Sequence, residues 1–193
     1  TSISVSGTGT VFTGATTMAV SGTPVINVTN ATATATTISP AAVTEYQCFS
    51  FNFTAGTYSL TLTAGTYKSL NFTGFAGTLV NTAITVYGNV TLSTGMTVSS
   101  GTSTWTFSGT NANNNRQITS NGKVINFPVT INTSGGTTIL IDALTLLNSR
   151  TLTLTAGNFS TGGYSVTSGL FSFTGGYCTN AGTTFSASGT GSV

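Results

Sequence analysis

The chain has 193 residues but only four basic and two acidic side chains, no histidine and a formal net charge of +2. Ordinary globular proteins carry about a quarter charged residues, so here serine, threonine, asparagine and glycine must provide the polar surface. A charge this small and dispersed argues against a nucleic-acid-binding face. No apolar run approaches the roughly 18 to 20 residues that span a bilayer, so we expect neither a nucleic-acid partner nor membrane insertion.

Residues 1–45 form the least regular part of the sequence. The chain opens on Thr1-Ser2-Ile3-Ser4 without a signal peptide, so we expect it to be processed or cut from a longer protein. Turn signals then enclose short β-prone runs such as Val25-Ile26-Asn27-Val28. We interpret this region as an N-terminal cap or as irregular first rungs, where a rung is one turn of a repeat structure.

From Tyr46 onward, large apolar residues recur at steps of about 20 residues. Three such series run side by side, separated by polar, glycine-rich turns. They are Tyr46, Tyr67, Tyr87, Phe107, Phe127, Leu146, Val166 and Phe185; Phe53, Phe72, Leu92, Ala112, Ile131, Leu152 and Phe171; and Leu60, Leu79, Val98, Ile118, Ile139, Phe159 and Cys178.

Three apolar positions in each period predict a stacked repeat fold. Apolar pairs at i and i+2, such as Trp105/Phe107 and Val129/Ile131, place both side chains on one face of a strand. We therefore predict an all-β, three-sided parallel β-helix with about 20 residues per rung. Residues 46–193 would form the solenoid body and residues 1–45 the cap. An antiparallel β-sandwich or jelly roll is the alternative.

The first series makes a specific prediction about stacking. If its steps are regular, Phe107, Phe127 and Leu146 lie in adjacent rungs with their side chains inward. The cysteines support a second prediction. Cys48 and Cys178 are about six rungs apart in a straight solenoid. At about 4.8 Å per rung that separation is far beyond the roughly 7 Å that a disulfide allows between Cα atoms, so we expect both to be unpaired within the chain.

One polar stretch interrupts the repeats. Asn113, Asn114, Asn115 and Arg116 follow a short Gly-Thr turn and predict a loop that bulges from a corner. Loops on a rigid scaffold commonly carry recognition, so these four residues are candidate partner-contact residues. A plain corner insertion is the competing interpretation.

The residue inventory argues against an enzyme. Glycosidase chemistry needs two acidic groups that flank one bond, and the two acidic residues, Glu45 and Asp142, are 97 residues apart. Without histidine there is no Ser-His-Asp or Cys-His arrangement, and two cysteines alone cannot hold a zinc ion. The glycine-rich turns match no phosphate-binding motif. We therefore predict no catalytic residues, no metal site and no cofactor.

The strand-turn units carry a resemblance to a known class of proteins. The segments are Ser50-Phe51-Asn52-Phe53-Thr54-Ala55-Gly56-Thr57-Tyr58, Leu70-Asn71-Phe72-Thr73-Gly74-Phe75-Ala76-Gly77 and Gly88-Asn89-Val90-Thr91-Leu92-Ser93-Thr94-Gly95-Met96. They resemble the Thr/Ser/Gly-rich repetitive proteins of tailed phages from aquatic environments, which are usually interpreted as tail-fibre or other virion surface proteins. The resemblance implies a non-enzymatic, receptor-binding or structural virion protein and gives no catalytic residues.

Three functional classes follow. The first is a virion structural or tail-fibre domain at the virion surface or outside the cell, whose partners are copies of itself, other virion or surface proteins, or a host surface glycan or protein. The second is a bacterial cell-surface adhesin or extracellular filament subunit. The third is an ice-binding solenoid, which needs a flat, regular array of outward threonines. The outward residues beside the second series form a mixed row: Asn71, Thr91, Thr130, Thr153 and Ser172.

Overall fold

The structure, a computed structural model, describes residues 2–5, 25–29, 35–39, 45, 48–111, 115–179, 182 and 184–187. These residues form strands and turns and no helix. The strands stack in parallel as a β-solenoid of about seven turns, about 21 residues apart, which confirms the predicted parallel β-helix. Each complete turn gives one strand to each of three faces.

Face one is the longest stack of strands. Its strands pair in parallel from one end of the solenoid to the other. In spatial order they are β1 (Ser2–Val5), β2 (Val25–Val28), β4 (Ser50–Phe53), β7 (Leu70–Asn71), β10 (Val90–Thr91), β13 (Arg116–Thr119), the second half of β15 (Val129–Leu140), the second half of β17 (Thr151–Ser160) and β20 (Tyr177–Thr179).

Face two consists of two short sheets that follow one another along the solenoid. The first contains β3 (Ala35–Ile38), β5 (Ser59–Leu62), β8 (Thr78–Val80) and β11 (Thr97–Val98). The second contains β14 (Val124–Ile125), β16 (Leu144–Leu146), β18 (Val166–Ser168) and β21 (Phe185–Ala187). Between them the backbone N–H of Gly101 donates to the carbonyl of Asn126 at 3.0 Å, which keeps adjacent turns bonded.

Face three has one strand from each of six successive turns. They are β6 (Gly65–Tyr67), β9 (Ile84–Val86), β12 (Trp105–Ser108), the first halves of β15 and β17, and β19 (Leu170–Phe173). β15 and β17 are long because each runs around the corner from face three into face one. Side chains alternate between the core and the surface along these strands, as in Trp105–Ser108.

The core is a continuous stack of large apolar side chains. It contains, for example, the parallel rings of Phe53 and Phe72, whose centroids are 4.9 Å apart. Phe75 and Tyr58 pack edge to face with centroids 5.2 Å apart. Such contacts recur because the parallel register repeatedly places like positions above one another at about 4.8 Å.

Phe107, Phe127 and Leu146 lie in successive turns and are all buried, as predicted, but they do not stack on one another. Phe107 pairs with Ile131 on face three, Leu146 pairs with Ile125 on face two, and Phe127 lies in the turn between these faces. The turns are unequal in length: the step from Leu70 to Val90 is 20 residues, but that from Val90 to Ile118 is 28. Residues chosen at a fixed step of about 20 therefore fall on different faces in different turns.

Other parts of the three series are correct. Leu60, Leu79 and Val98 are register partners on face two, Leu152 and Phe171 are partners on face three, and Val166 pairs with Phe185. Tyr46 and Ala112 lie outside the described residues. The agreement holds where successive turns have similar lengths and fails where a corner contains extra residues.

Strands β1, β2 and β3 lie within the region that the sequence predicted as a cap or irregular first rungs. β2 pairs in register with β4, and β3 pairs with β5. The sheets of the solenoid therefore begin before residue 46.

Cys48 and Cys178 are both unpaired, as predicted. Cys48 is buried, and its Sγ lies 3.3 Å from the carbonyl oxygen of Glu45, to which the thiol donates. Burial raises the pKa of the Cys48 thiol to about 11, so the reactive thiolate is scarce near neutral pH.

Replacement of Phe127 by alanine should greatly reduce stability. The ring is 1% exposed and packs against Trp105 with centroids 4.8 Å apart, so its removal leaves a cavity between turns. We expect Phe127→Ala to lower the free energy of unfolding by about 3–5 kcal/mol in urea titrations. The control is Phe173→Ala, because Phe173 is 46% exposed and should cost less than about 1 kcal/mol. Equal losses for the two variants would contradict the assigned burial.

Candidate functional site

The predicted contact loop lies at the corner between β12 on face three and β13 on face one. Asn113 and Asn114 lie outside the described residues, and Asn115 is exposed. Arg116 is the first residue of β13 and is completely buried, at 0% exposure. Its side chain does not fit the exposed contact that the sequence predicted, because strand alternation turns residues 116 and 118 inward and leaves Gln117 outside.

Arg116 is held at this corner by an ion pair with Glu45. Its Nη2 lies 3.2 Å from Oε1 of Glu45, whose side chain is 8% exposed. Nε of Arg116 donates to the carbonyl of Ser108 at 2.6 Å, and the backbone N–H of Thr110 donates to Oε2 of Glu45 at 3.0 Å. Burial lowers the pKa of the guanidinium, and the carboxylate of Glu45 opposes that shift.

The corner leaves no room for a side chain at residue 109. Gly109 adopts a φ of +136°, and a Cβ there would lie 1.9 Å from Nη2 of Arg116 and 2.6 Å from Oε1 of Glu45. Glycine is therefore required both for the backbone angle and for the space that the ion pair occupies.

The same segment of chain contacts widely separated turns of the solenoid. The carbonyl of Phe49 accepts a hydrogen bond from the backbone N–H of Lys68 at 2.8 Å, at the corner after β6. Glu45, four residues earlier, reaches Thr110 and Arg116 at the corner after β12, two turns farther along face three. The arrangement thus ties an early part of the chain to the middle of the solenoid.

The second acidic residue also makes structural contacts. The carboxylate of Asp142 accepts hydrogen bonds from the backbone N–H groups of Ser120, at 2.7 Å, and of Asn121. These bonds join the turn after β13 to the turn after β15. Both acidic side chains therefore accept hydrogen bonds from another turn of the solenoid.

The described residues contain no group of three His, Cys, Asp or Glu side chains that could hold a metal ion. The chemistry that this corner supports is charge neutralisation and hydrogen bonding between turns. The ion pair was not foreseen from the sequence, since its partners are 71 residues apart and no short-range pattern connects them.

A second feature is a row of hydroxyl side chains on face three, one in each turn. Register pairs place these residues directly above one another and at half-exposed, outward positions. The face-three row consists of Thr66, Thr85, Thr106, Thr130, Thr153 and Ser172. At about 4.8 Å per turn it extends for about 24 Å.

The mixed outward row drawn from the sequence is wrong. Asn71 and Thr91 lie on face one, where Asn71 continues a column of Asn27 and Asn52, whereas Thr130, Thr153 and Ser172 lie on face three. The sequence does contain a signal for the true row, namely a threonine between two buried apolar residues, as in Ile84-Thr85-Val86 and Trp105-Thr106-Phe107. The assumption that successive turns have equal lengths led to the wrong choice of residues.

No protein-family model, curated protein or solved structure matches this chain. In the part of the chain that the structure describes, there is no helix that could cross a membrane.

Loss of the Glu45 charge should destabilise the solenoid. Glu45→Gln leaves a buried guanidinium without its counter-ion, and we expect a loss of about 3–5 kcal/mol in the free energy of unfolding, measured in urea. The double variant Glu45→Leu with Arg116→Met removes both charges and should recover most of that loss.

Asp142→Asn is the matched control, because it neutralises the half-exposed carboxylate and keeps an oxygen that can accept. It should cost about 1 kcal/mol or less. If Glu45→Gln costs no more than Asp142→Asn, the buried ion pair does not stabilise the corner.

Proposed function

We propose that this chain is a non-enzymatic structural domain displayed outside the cell, as a tail-fibre or other surface domain of a virion. The observation that carries the proposal is a continuous parallel solenoid whose outward columns are uncharged hydroxyl and amide residues. Examples are the column Asn27, Asn52 and Asn71 on face one and the face-three row. Such a scaffold is rigid and presents a long polar surface for binding.

The placement of the carboxylates supports a structural role. Glu45 is paired with Arg116, and Asp142 accepts backbone N–H groups, so each one stabilises a corner. Acid–base catalysis by a carboxylate pair needs two acidic groups around one bond. In this chain each acidic side chain instead makes contacts between turns, which supports a structural role.

The positions of the basic residues fit an environment that contains proteases. Arg116 is buried, and Lys68, Lys123 and Arg150 are only half-exposed at turns next to strands. A protease that cleaves after basic residues needs the local backbone to open first, and that opening breaks pairing with neighbouring turns. Resistance to such cleavage is an advantage for a protein outside the cell.

Copies of the chain, or other virion or surface proteins, are the partners that suit the ends of the solenoid. Within the described residues, β20 pairs with β17 and β21 pairs with β18. Free edges of parallel sheets accept added strands. The same property would serve a bacterial adhesin or an extracellular filament subunit.

Immunogold labelling tests the proposal directly. An antibody raised against the purified chain should label virion particles, at fibres or on the surface, in thin sections and negative-stain images of a sample that contains the protein. Preimmune serum is the control. Labelling confined to the bacterial surface would favour the adhesin or filament instead, and labelling confined to the cell interior would overturn the proposal.

A second candidate function is ice binding, which the face-three row favours. Its hydroxyl groups, and the methyl groups of its five threonines, repeat at about 4.8 Å on a parallel sheet. This repeat is close to an oxygen repeat in the ice lattice. Because the sheet is rigid, these groups are already ordered before they contact ice. The row is one residue wide, so the bound area would be a narrow strip.

A thermal-hysteresis measurement tests this candidate. If the row binds ice, the protein should lower the freezing point below the melting point, and Thr130→Tyr should abolish the gap because its ring protrudes from the centre of the row. Thr145→Tyr is the control, since Thr145 lies at a half-exposed outward position on face two. Absence of hysteresis in the unaltered protein, or equal effects of the two substitutions, would exclude ice binding by this row.

A further inference from the structure

A groove opens at the corner between faces three and one, one turn beyond the buried ion pair. The corner of β15 is longer than the corner of β17 above it: Asn132 pairs with Ala156 and Thr137 with Asn158. Residues 133–136 of the lower turn therefore face Gly157 alone. The longer corner must project beyond the shorter one, and this mismatch creates a recess of about 300 Å³.

Four side chains give the groove its chemistry. Ser134, Thr137 and Asn158 supply hydroxyl and amide groups, and Tyr177 from the next turn supplies a phenol ring that is 65% exposed. Gly135, Gly136 and Gly157 complete the lining. None of the six charged residues of the chain lines the groove.

Asn158 is held in place by hydroxyl groups of the turns below and above it. Thr179 Oγ1 donates to Oδ1 of Asn158 at 2.7 Å, and Nδ2 of Asn158 donates to Oγ1 of Thr137 at 3.5 Å. An amide has two N–H groups and two lone pairs, so one donor and one acceptor position remain for a ligand. The short bond from Thr179 thereby restrains the amide before a ligand binds.

Tyr177 lies directly above Asn158 in the face-one register. An exposed aromatic ring beside fixed amide and hydroxyl groups suits a ligand with one apolar face and a polar rim. A pyranose ring has this character: its C–H face packs on an aromatic ring, and its hydroxyl groups both donate and accept. The absence of charge from the lining favours a neutral sugar over an anionic one, because no cationic side chain in the lining would pair with an anion.

We propose that this groove, defined by Ser134, Thr137, Asn158 and Tyr177, binds neutral saccharides, with the sugar ring on Tyr177 and its hydroxyl groups on Asn158 and Thr137. The assignment rests on the proposed function as a surface domain and names the chemical class that it would recognise. The volume accommodates one or two sugar units rather than a long chain. A single small sugar should bind with a Kd on the order of 1 mM.

Gly157 is unsuitable as a test position. Its φ is +84°, and a Cβ there would lie 2.0 Å from the carbonyl oxygen of Thr133, so any substitution distorts the corner itself. Tyr177 is better, because removal of an exposed ring leaves the backbone pairing of β20 intact. Tyr164 gives a matched control, since it is 43% exposed and does not line the groove.

The test uses NMR titration of the full chain with the methyl glycosides of glucose, galactose, mannose and N-acetylglucosamine. At least one should bind, Tyr177→Ala should weaken it about tenfold or more, and Tyr177→Phe should retain most of the affinity because the ring remains. Tyr164→Ala should bind as the unaltered chain does. Circular dichroism spectra of all variants establish that the solenoid is intact.

Three outcomes would overturn the assignment: no neutral glycoside binds, binding is unaffected by Tyr177→Ala, or N-acetylneuraminic acid binds in preference to the neutral sugars. This experiment is independent of the immunogold result. Surface labelling without saccharide binding would overturn the groove assignment and leave the surface function standing. Saccharide binding by a protein found only inside cells would overturn the surface function and leave the groove assignment standing.

Discussion

Parallel register between successive turns is the constraint on which this structure depends. Each turn must bond its backbone to the turns on both sides, and it must at the same time place its inward side chains over those of its neighbours. Phe53 over Phe72 and Leu60 over Leu79 satisfy both conditions. A slip of one residue would turn every apolar side chain of a strand outward, so the register is strongly specified on all three faces.

Differences in the number of residues per turn are confined to the corners, because the strands on the faces must keep their register. Extra residues between β12 and β13, and again in the middle of β15, lengthen a turn without changing the register of the strands on either side. The features that do not repeat from turn to turn therefore lie at the corners. The Glu45–Arg116 pair fills one such corner, and the groove beside Tyr177 forms at the next.

The proposed functions share one physical basis. With so few charges, the surface is polar through hydroxyl and amide groups that the sheets hold in fixed columns. Ordered, uncharged hydrogen-bonding groups suit contact with sugars, with other copies of a solenoid or with an ice surface. Function would then depend on spacing rather than on reactive side chains, and both acidic side chains make contacts that join turns.

The amino-acid sequence by itself determined the architecture, because apolar i, i+2 pairs and glycine-rich turns recur often enough to predict a parallel β-helix. It also predicted unpaired cysteines from their separation along the chain. Only the tertiary structure decided which residues share a column. Corner lengths set the registration, and they depend on how each turn closes against its neighbours rather than on local pattern. The inward Arg116, the face-three row and the groove at Asn158 all follow from that registration.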